Sequence, residues 1–166
     1  MRKLVLFLMF LFLFQFSFAA IAYRNSMNDS GCTNCASFTS TNSLNVASGD
    51  EISVVVTCRD SSTRTISSIT DTIGNSFSQV ISMQDGTTKQ TYLWHASSSG
   101  TNTADKFTVT MSGTCGTRIE MAASAFSGVQ AIGVSANGTD SDNRDCDAPS
   151  ITTQDSNNFV VAGCGD

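Results

Sequence analysis

Hydrophobic and polar residues alternate in short segments along most of this chain. Within residues 107–111, Phe107, Val109 and Met111 alternate with threonines, which is typical of a strand that buries one face. Residues 51–58 carry apolar side chains at every second position and Val55 on the opposite face. This second pattern predicts a central strand that is largely covered. No segment has a convincing helical period, so the chain is predicted to be all-β.

Turn residues separate these segments and divide the chain into short strands. Ser48-Gly49-Asp50 and Gln84-Asp85-Gly86 are two such turn signals. Short strands at this spacing indicate an antiparallel β-sandwich, either immunoglobulin-like or jelly-roll-like. The predicted strands are residues 44–46, 51–58, 65–70, 76–83, 89–96, 105–111, 118–126, 129–136, 150–153 and 158–164.

The segment from Thr65 to Phe77 is predicted to organise the fold as two strand ends joined by a tight turn. Threonine and isoleucine on both sides of the turn favour a pleated, half-buried surface. Gly74 and Asn75 can adopt the positive φ of a hairpin turn, and Asp71 can hydrogen-bond to its own local backbone. We therefore expect a β-hairpin at this position.

The first 22 residues have the layout of a secretory signal peptide, with a helix as its expected structure. Arg2 and Lys3 precede an apolar run and a stretch of small residues. Cleavage before Ala20 and cleavage before Tyr23 both fit this layout. The alternative is a retained anchor from Leu4 to Ala22, since this stretch approaches the roughly 20 apolar residues that span a bilayer. Two polar residues inside the stretch favour cleavage, and hence a secreted or cell-surface protein.

Cleavage before Tyr23 would leave an acidic chain of single-domain size. The remaining 144 residues contain seven basic and fourteen acidic side chains, a net charge of −7. An acidic surface argues against nucleic acid, whose phosphates need a basic face. Residues 25–42 are polar and irregular in pattern. We therefore expect a polar N-terminal arm (residues 23–43) followed by a sandwich domain (residues 44–166).

All six cysteines lie beyond the signal sequence. An even number of cysteines in an exported chain predicts structural disulfides, although the sequence alone cannot select their connectivity. Cys32-Thr33-Asn34-Cys35 also has the spacing of a metal or redox pair. However, no second ligand pair completes a tetrahedral site, and the strand-then-helix context of thioredoxin-like proteins is missing. The disulfide candidates are Cys32, Cys35, Cys58, Cys115, Cys146 and Cys164.

An acidic loop at residues 137–147 is a candidate calcium site. Carboxylate and amide oxygens are the hard ligands that calcium takes. Arg144 occupies a position where an EF-hand loop needs a ligand, so a solvated loop closed by Cys146 is the favoured interpretation. No cofactor other than this calcium is expected. The candidate ligands are Asp140, Asp142, Asn143, Asp145 and Asp147.

Two aromatic residues are candidates for carbohydrate binding. Tyr92 and Trp94 lie on one face of the predicted strand at 89–96, where their rings could stack on a sugar. A core position is the favoured alternative for Trp94, because a tryptophan in a sandwich strand usually packs inside. Separately, triplets that begin at Asn28 and Asn137 match the N-glycosylation sequon.

His95 is the only histidine in the chain and the one candidate for acid–base catalysis. No G-x-S-x-G nucleophile motif accompanies it. A single histidine on a strand beside aromatic residues is usually a packed or surface residue. We therefore predict no catalytic residue and no enzymatic activity.

Five stretches of the chain carry a recurring pattern of turn and core residues: SGDEISVVVTC, SSITDTIGNSF, TYLWHASSSGTNTADKFTVTMSG, MAASAFSGV and SNNFVVAGCGD. The series resembles a secreted β-sandwich module that is common in bacterial and archaeal surface proteins, and the resemblance covers most of residues 48–166. It implies a sandwich fold and a non-enzymatic extracellular role in surface or adhesion-type proteins. The six cysteines are not part of the family pattern.

The family module continues beyond the strand that matches residues 158–164, whereas this sequence stops at Asp166. We expect either a fragment that lacks its C-terminal strands, or a protein that completes its sandwich with a strand from a neighbouring molecule. In the second case, the arm at residues 23–42 is the expected donor.

The sequence thus predicts an extracellular structural or adhesion-type module. Its expected partners are other cell-surface or extracellular proteins, or copies of itself joined by strand addition. The alternative is a carbohydrate- or calcium-binding module with glycans as partners, and membrane contact is expected only if the signal segment is retained. A secreted hydrolase is the third class, and it would need His95 within hydrogen-bond reach of an acidic residue and a nucleophile.

Overall fold

The protein is an antiparallel β-sandwich, as the strand pattern predicts. The computed structural model describes residues 20–85, 88–133, 135–136, 150–152, 158 and 160–161, and no helix occurs in this part of the chain. Its strands are β1 (Ala22–Ser30), β2 (Cys35–Thr39), β3 (Leu44–Val46), β4 (Glu51–Arg59), β5 (Ile66–Asp71), β6 (Ser78–Asp85), β7 (Lys89–Ser97), β8 (Asn102–Asp105), β9 (Phe107–Cys115) and β10 (Arg118–Ser127).

Two sheets form the layers of the sandwich. The larger sheet has the strand order β1–β10–β4–β7–β6, and the smaller one has the order β2–β9–β5. β3 and β8 form a separate antiparallel pair. β4 is the middle strand of the larger sheet, which confirms the central position predicted for residues 51–58.

Alternating side chains of β4 and β9 meet in the core between the layers. Val54 and Val56 of β4 are fully buried, as are Phe107 and Val109 of β9. The opposite faces of the two strands are less apolar, which is the pattern expected when each sheet has one face in the core. At roughly 1.5–3 kcal/mol for each large apolar side chain, this core supplies most of the driving force for folding.

One end of the sandwich is closed by two disulfides, and we call it the cystine end (residues 31–35, 58–64 and 113–118). Cys58 at the end of β4 is bonded to Cys115 at the end of β9, with Cα atoms 6.0 Å apart and both side chains fully buried. This bond joins the two sheets. A second disulfide links Cys32 and Cys35.

The opposite end is closed by carboxylates and hydrogen bonds, and we call it the carboxylate end (residues 47–51, 71–75, 97–101 and 105–106). Asp50 is almost fully buried and accepts a hydrogen bond from the Ala47 amide at 2.8 Å. Arg24 reaches it from β1 in a bidentate ion pair, in which Nη2 lies 2.9 Å from Oδ1. The Asp50 and Ser98 backbones also bond to each other, at 2.7 Å.

The expectation of an irregular N-terminal arm is wrong, because residues 22–30 and 35–39 form β1 and β2. β1 pairs with β10 in the larger sheet, and β2 pairs with β9 in the smaller one. The inward side of β1 carries Asn25, Met27 and Asp29, of which only Met27 is apolar. The polar pair bonds to backbone instead: the Asn25 amide pairs with Asn45 at 2.9 and 3.0 Å, and Asp29 accepts from the Asn42 amide at 3.0 Å.

The predicted hairpin at Thr65–Phe77 is also wrong. β5 pairs with β9 and β6 pairs with β7, so the turn between β5 and β6 crosses from one sheet to the other. Its local chemistry is as predicted at two positions: Gly74 has a φ of 86°, and Asp71 Oδ1 accepts from the Gly74 and Asn75 amides at 2.7 and 2.8 Å. The same turn chemistry therefore serves a crossover here.

The chain after β10 differs from the expected strands. Residues 129–133 and 135–136 form no strand, although a strand was predicted at 129–136. Of the last two predicted strands, residues 150–152, 158, 160 and 161 are in no strand. The rest of those segments lies outside the described residues. Gly128 ends the strand pattern after β10 with a φ of 76°, a backbone conformation that residues other than glycine rarely adopt.

The described residues include no helix that is long and apolar enough to cross a membrane. The predicted signal helix and the alternative anchor, apart from Ala20 to Ala22, lie outside the described residues.

Candidate functional site

The outer face of the larger sheet presents side chains in rows that run across four or five of its strands. The rows arise because residues on neighbouring strands are directly opposite one another. The apolar row is Ile81, Leu93, Val55 and Ala122. The serine row beside it is Ser78, His95, Ser53, Ser124 and Ser26. The end row, next to the carboxylate end, is Ser97, Glu51, Phe126 and Tyr23.

His95, Glu51 and Ser97 form the main polar cluster that we find on this face. The His95 Nδ1 atom lies 2.5 Å from Glu51 Oε1, and the Ser97 hydroxyl donates to Glu51 Oε2 at 2.8 Å. Glu51 is 7% exposed, so the two contacts replace most of the water that a carboxylate needs. The sequence shows no sign of this contact, because the two ionisable residues are 44 positions apart.

The cluster provides an acid–base pair without a bonded nucleophile. Ser97 donates to the carboxylate rather than to the imidazole. Ser53 and Ser78 lie opposite His95 on the neighbouring strands, but neither hydroxyl is hydrogen-bonded to it. A nucleophilic triad needs the hydroxyl to bond to the histidine while the acid orients the ring. The arrangement therefore holds His95 in place and lacks the nucleophilic contact.

A shallow depression of about 280 Å³ lies between β1, β10 and β4. Its floor is formed by the small side chains of Val55, Thr57 and Ala122, and its sides are formed by Glu120 and Asn28. No aromatic ring lines it among the described residues. It is open to solvent, and its lining contains two acidic residues, Glu120 and Asp29, together with a few residues that carry hydroxyl or amide groups, which suit a small polar group.

Tyr23 is the exposed aromatic residue of the outer face. Its side chain is 56% exposed, and its ring packs against Phe126 with centroids 5.9 Å apart. The hydroxyl donates to Ser26 at 2.8 Å. Both contacts hold the ring at the β1 edge, where one of its faces can meet another molecule.

The predicted carbohydrate platform of Tyr92 and Trp94 is wrong. Both residues lie on the inward face of β7, and Tyr92 is 5% exposed with its hydroxyl bonded to the Arg64 carbonyl. Burial also raises the pKa of Tyr92. Trp94 packs against the core, and its indole N–H has no acceptor among the described residues. The favoured alternative, a core position, is thus observed.

The predicted calcium ligands (Asp140, Asp142, Asn143, Asp145 and Asp147) lie outside the described residues, as does the sequon at Asn137. Elsewhere in the described chain, no group of three or more metal-ligating side chains converges. Asn28, the other sequon residue, is exposed on the outer face of β1. Its glycosylation stays a prediction.

Four of the six disulfide candidates are paired, as Cys32–Cys35 and Cys58–Cys115. Asn34 has a φ of 57° in the small loop of the first pair, a conformation that asparagine tolerates better than most residues. Cys146 and Cys164 lie outside the described residues.

Comparison with known proteins finds no protein-family model, no curated protein and no solved structure that matches this chain. What the fold defines is a class: an all-β antiparallel sandwich with two disulfides among the described residues. Disulfides of this kind are compatible with an extracellular protein.

Proposed function

We propose that this chain is an extracellular structural or adhesion-type module without catalytic activity. The observation that supports it most is the Cys58–Cys115 disulfide, which joins the two sheets through fully buried positions. Such a bond persists in oxidising compartments and is rare in the cytosol. The signal-like N-terminus points to the same location.

The contacts of His95 support the non-catalytic part of the proposal. The imidazole has an acid beside it in Glu51, and the nearest bonded hydroxyl, that of Ser97, is committed to that acid. These contacts explain His95 as one of two hydrogen-bonding partners that satisfy a mostly buried carboxylate.

Expression of the full chain with its own leader in a secreting host tests the extracellular part. We expect an oxidised protein in the medium whose non-reducing peptide map contains a Cys58–Cys115 peptide. Retention inside the cell with free thiols at these positions would contradict the proposal.

The adhesive part is tested with beads coated with the purified protein. We expect the beads to associate with one another or with immobilised extracellular proteins through the apolar row. Leu93→Lys, which places a charge in that row, should weaken this association. Thr110→Lys is the matched control on the outer face of the smaller sheet and should leave it unchanged. Folded protein that binds neither itself nor any such surface would argue for a purely structural role.

Carbohydrate binding is a second candidate function, and exposed Tyr23 favours it. The ring packs against Phe126, which separates it from Glu51, and its hydroxyl bonds to Ser26 of the serine row. Stacking and hydrogen-bonding groups therefore share one edge. A glycan array probed with the wild type and with Tyr23→Ala tests this candidate. Binding that the substitution abolishes would support it, and an array without any binding would remove it.

A further inference from the structure

Asp105 is a fully buried carboxyl group without an obvious partner for one of its oxygens. It lies at the end of β8, at 0% exposure. Oδ1 accepts a hydrogen bond from the Thr72 amide at 3.0 Å. Oδ2 has no hydrogen-bond partner among the described residues. A buried carboxylate oxygen without a partner is costly, so this atom requires an explanation.

A second carboxyl group, that of Asp71, lies next to it. Asp71 directly precedes the residue whose amide bonds to Asp105, and it sits opposite Phe107 in the β5–β9 ladder. After burial, the charge of Asp71 and hydrogen bonding to its carboxyl raise the pKa of Asp105. Two carboxylates in such contact repel each other when both are ionised, and they attract when they share one proton.

We propose that Asp71 and Asp105 form a proton-sharing carboxyl pair that holds the carboxylate end together in mildly acidic surroundings and loosens it at higher pH. The proton fills the position of the missing partner of Asp105 Oδ2.

The surrounding donors favour a proton over a metal ion. Asp71 already accepts three N–H groups: the amides of Gly74 and Asn75 and the side-chain amide of Asn75, the last at 2.6 Å. Thr72 supplies a fourth N–H, to Asp105. Calcium needs six to eight oxygen ligands, whereas this site directs N–H groups at the two carboxyls. A proton needs only the two facing oxygens.

The pair sits where several loops meet, so its state affects more than two residues. Asn75, which bonds to Asp71, also accepts from the amide and the hydroxyl of Ser99 at 2.8 and 2.9 Å. The Thr72 amide bonds to the Lys106 carbonyl as well. Repulsion between the carboxylates therefore acts on the turn after β5 and on the loop after β7.

The other charged groups on the surrounding segments have partners of their own. Lys106 is exposed, and its charge acts on Asp29. Asp50 is paired with Arg24. Leu44, which faces Asp105 from β3, carries no charge. Among the described residues, the titration of Asp105 is thus coupled mainly to Asp71.

The sign of the pH effect follows from the same geometry. Burial, followed by the charge of Asp71, raises the pKa of Asp105 to about 6, whereas an unfolded aspartate titrates near 3.9. The folded state binds the extra proton between these values. The stabilisation is therefore fully present below the unfolded pKa and is lost as the pH rises through about 6.

Urea unfolding of the wild type and of Asp105→Asn between pH 4 and pH 8 tests the proposal. The asparagine amide can accept from Thr72 and donate to Asp71 at every pH. We expect the wild-type unfolding constant, divided by that of the variant, to rise about tenfold between pH 5.0 and pH 7.5. Asp71→Asn is the second variant, for use if Asp105→Asn does not fold. It removes the charge of Asp71 but leaves Asp105 buried, so it should reduce the same pH dependence without abolishing it.

Two results would overturn the proposal. One is an equal pH dependence in the wild type and in both variants. The other is stabilisation of the wild type, but not of Asp105→Asn, by millimolar calcium chloride at pH 7.5. The latter would mean that the pair holds a divalent cation instead of a proton.

Discussion

At the cystine end, the two sheets are joined by one disulfide, whereas the carboxylate end is held by buried carboxylates and the N–H groups that bond to them. Cys58 and Cys115 are buried between the layers at the first end. Asp50 and Asp105 are buried at the second. A covalent closure does not respond to protons but is broken by a reductant. A closure by carboxylates responds to protons and is not broken by a reductant. The two ends of the sandwich therefore respond to different conditions, one to reduction and the other to pH.

The largest expected effect is the loss of the inter-sheet disulfide. Replacement of Cys58 and Cys115 by alanine opens a loop with a sequence separation of 57, and should cost roughly 4 kcal/mol of unfolding free energy. The double replacement of Cys32 and Cys35, separated by only three positions, is the matched control and should cost about half as much. Urea denaturation measures both. Equal losses would mean that the inter-sheet bond has no special role at this end.

The next effect is at the carboxylate end. Asp50→Ala leaves the partly buried Ala47 amide without its acceptor and removes a buried carboxylate from its ion pair with Arg24, and should cost about 1–3 kcal/mol. It also releases Arg24, whose pKa is raised by its hydrogen bond to Asp50. Asp50→Asn keeps an oxygen for the Ala47 amide and should lose less. Thermal denaturation at pH 7 ranks the two variants. If Asp50→Ala melted at the wild-type temperature, Asp50 would not stabilise the carboxylate end.

A third prediction concerns an acid whose pH dependence has the opposite sign to that of Asp105. Burial opposes the ionisation of Asp29, but hydrogen bonds from Asn42 and Thr41 outweigh it and lower the pKa. Its stabilisation is thus present above the ordinary aspartate pKa and is lost as the pH falls through the lower folded value. Asp29→Asn should be less stable than the wild type at pH 7, by less than Asp50→Ala, and the gap should close toward pH 3. Urea midpoints at several pH values check this. A difference in stability that widens on acidification would mean that folding does not lower the pKa of Asp29.

The smallest effect is expected at His95. Its contact with Glu51 is partly exposed, and Glu51 keeps the Ser97 hydroxyl when the imidazole is removed. His95→Ala should therefore cost less than about 1 kcal/mol. The same variant, screened beside the wild type against ester, peptide and glycoside substrates, should show no lost activity. A hydrolytic activity that this substitution abolishes in a folded protein would contradict the non-catalytic proposal.

Strands with regular apolar alternation were predictable from the sequence, and β1 was not. β4 and β9 bury an apolar residue at every second position, which produces the period that identifies a strand. β1 turns Asn25 and Asp29 inward, where hydrogen bonds to neighbouring backbone replace apolar packing. A strand that is held by polar contacts has no hydrophobic period, so its sequence resembles that of a loop.

The turn after β5 and the ionisable pairs show a second limit. Asp71 and Gly74 specify the local turn, but nothing in the turn states which sheet the next strand joins. The contact of Glu51 with His95 likewise depends on the β4–β7 register, and the contact of Asp71 with Asp105 depends on how the loops meet. Such partners become visible only once the long-range pairing is known.

Hydrogen exchange resolved by segment is the most direct test of the difference between the two ends. Protection, corrected for the intrinsic effect of pH, should be compared at pH 5.0 and pH 7.5, with and without a thiol reductant. We expect a rise in pH to reduce protection in residues 71–75 and 97–101 and to leave residues 58–64 and 113–118 unchanged. We expect the reductant to lower protection first in residues 58–64 and 113–118, before residues 71–75 and 97–101 are affected. Loss of protection at both ends together under either treatment would show that the sandwich opens as one unit, which contradicts the account.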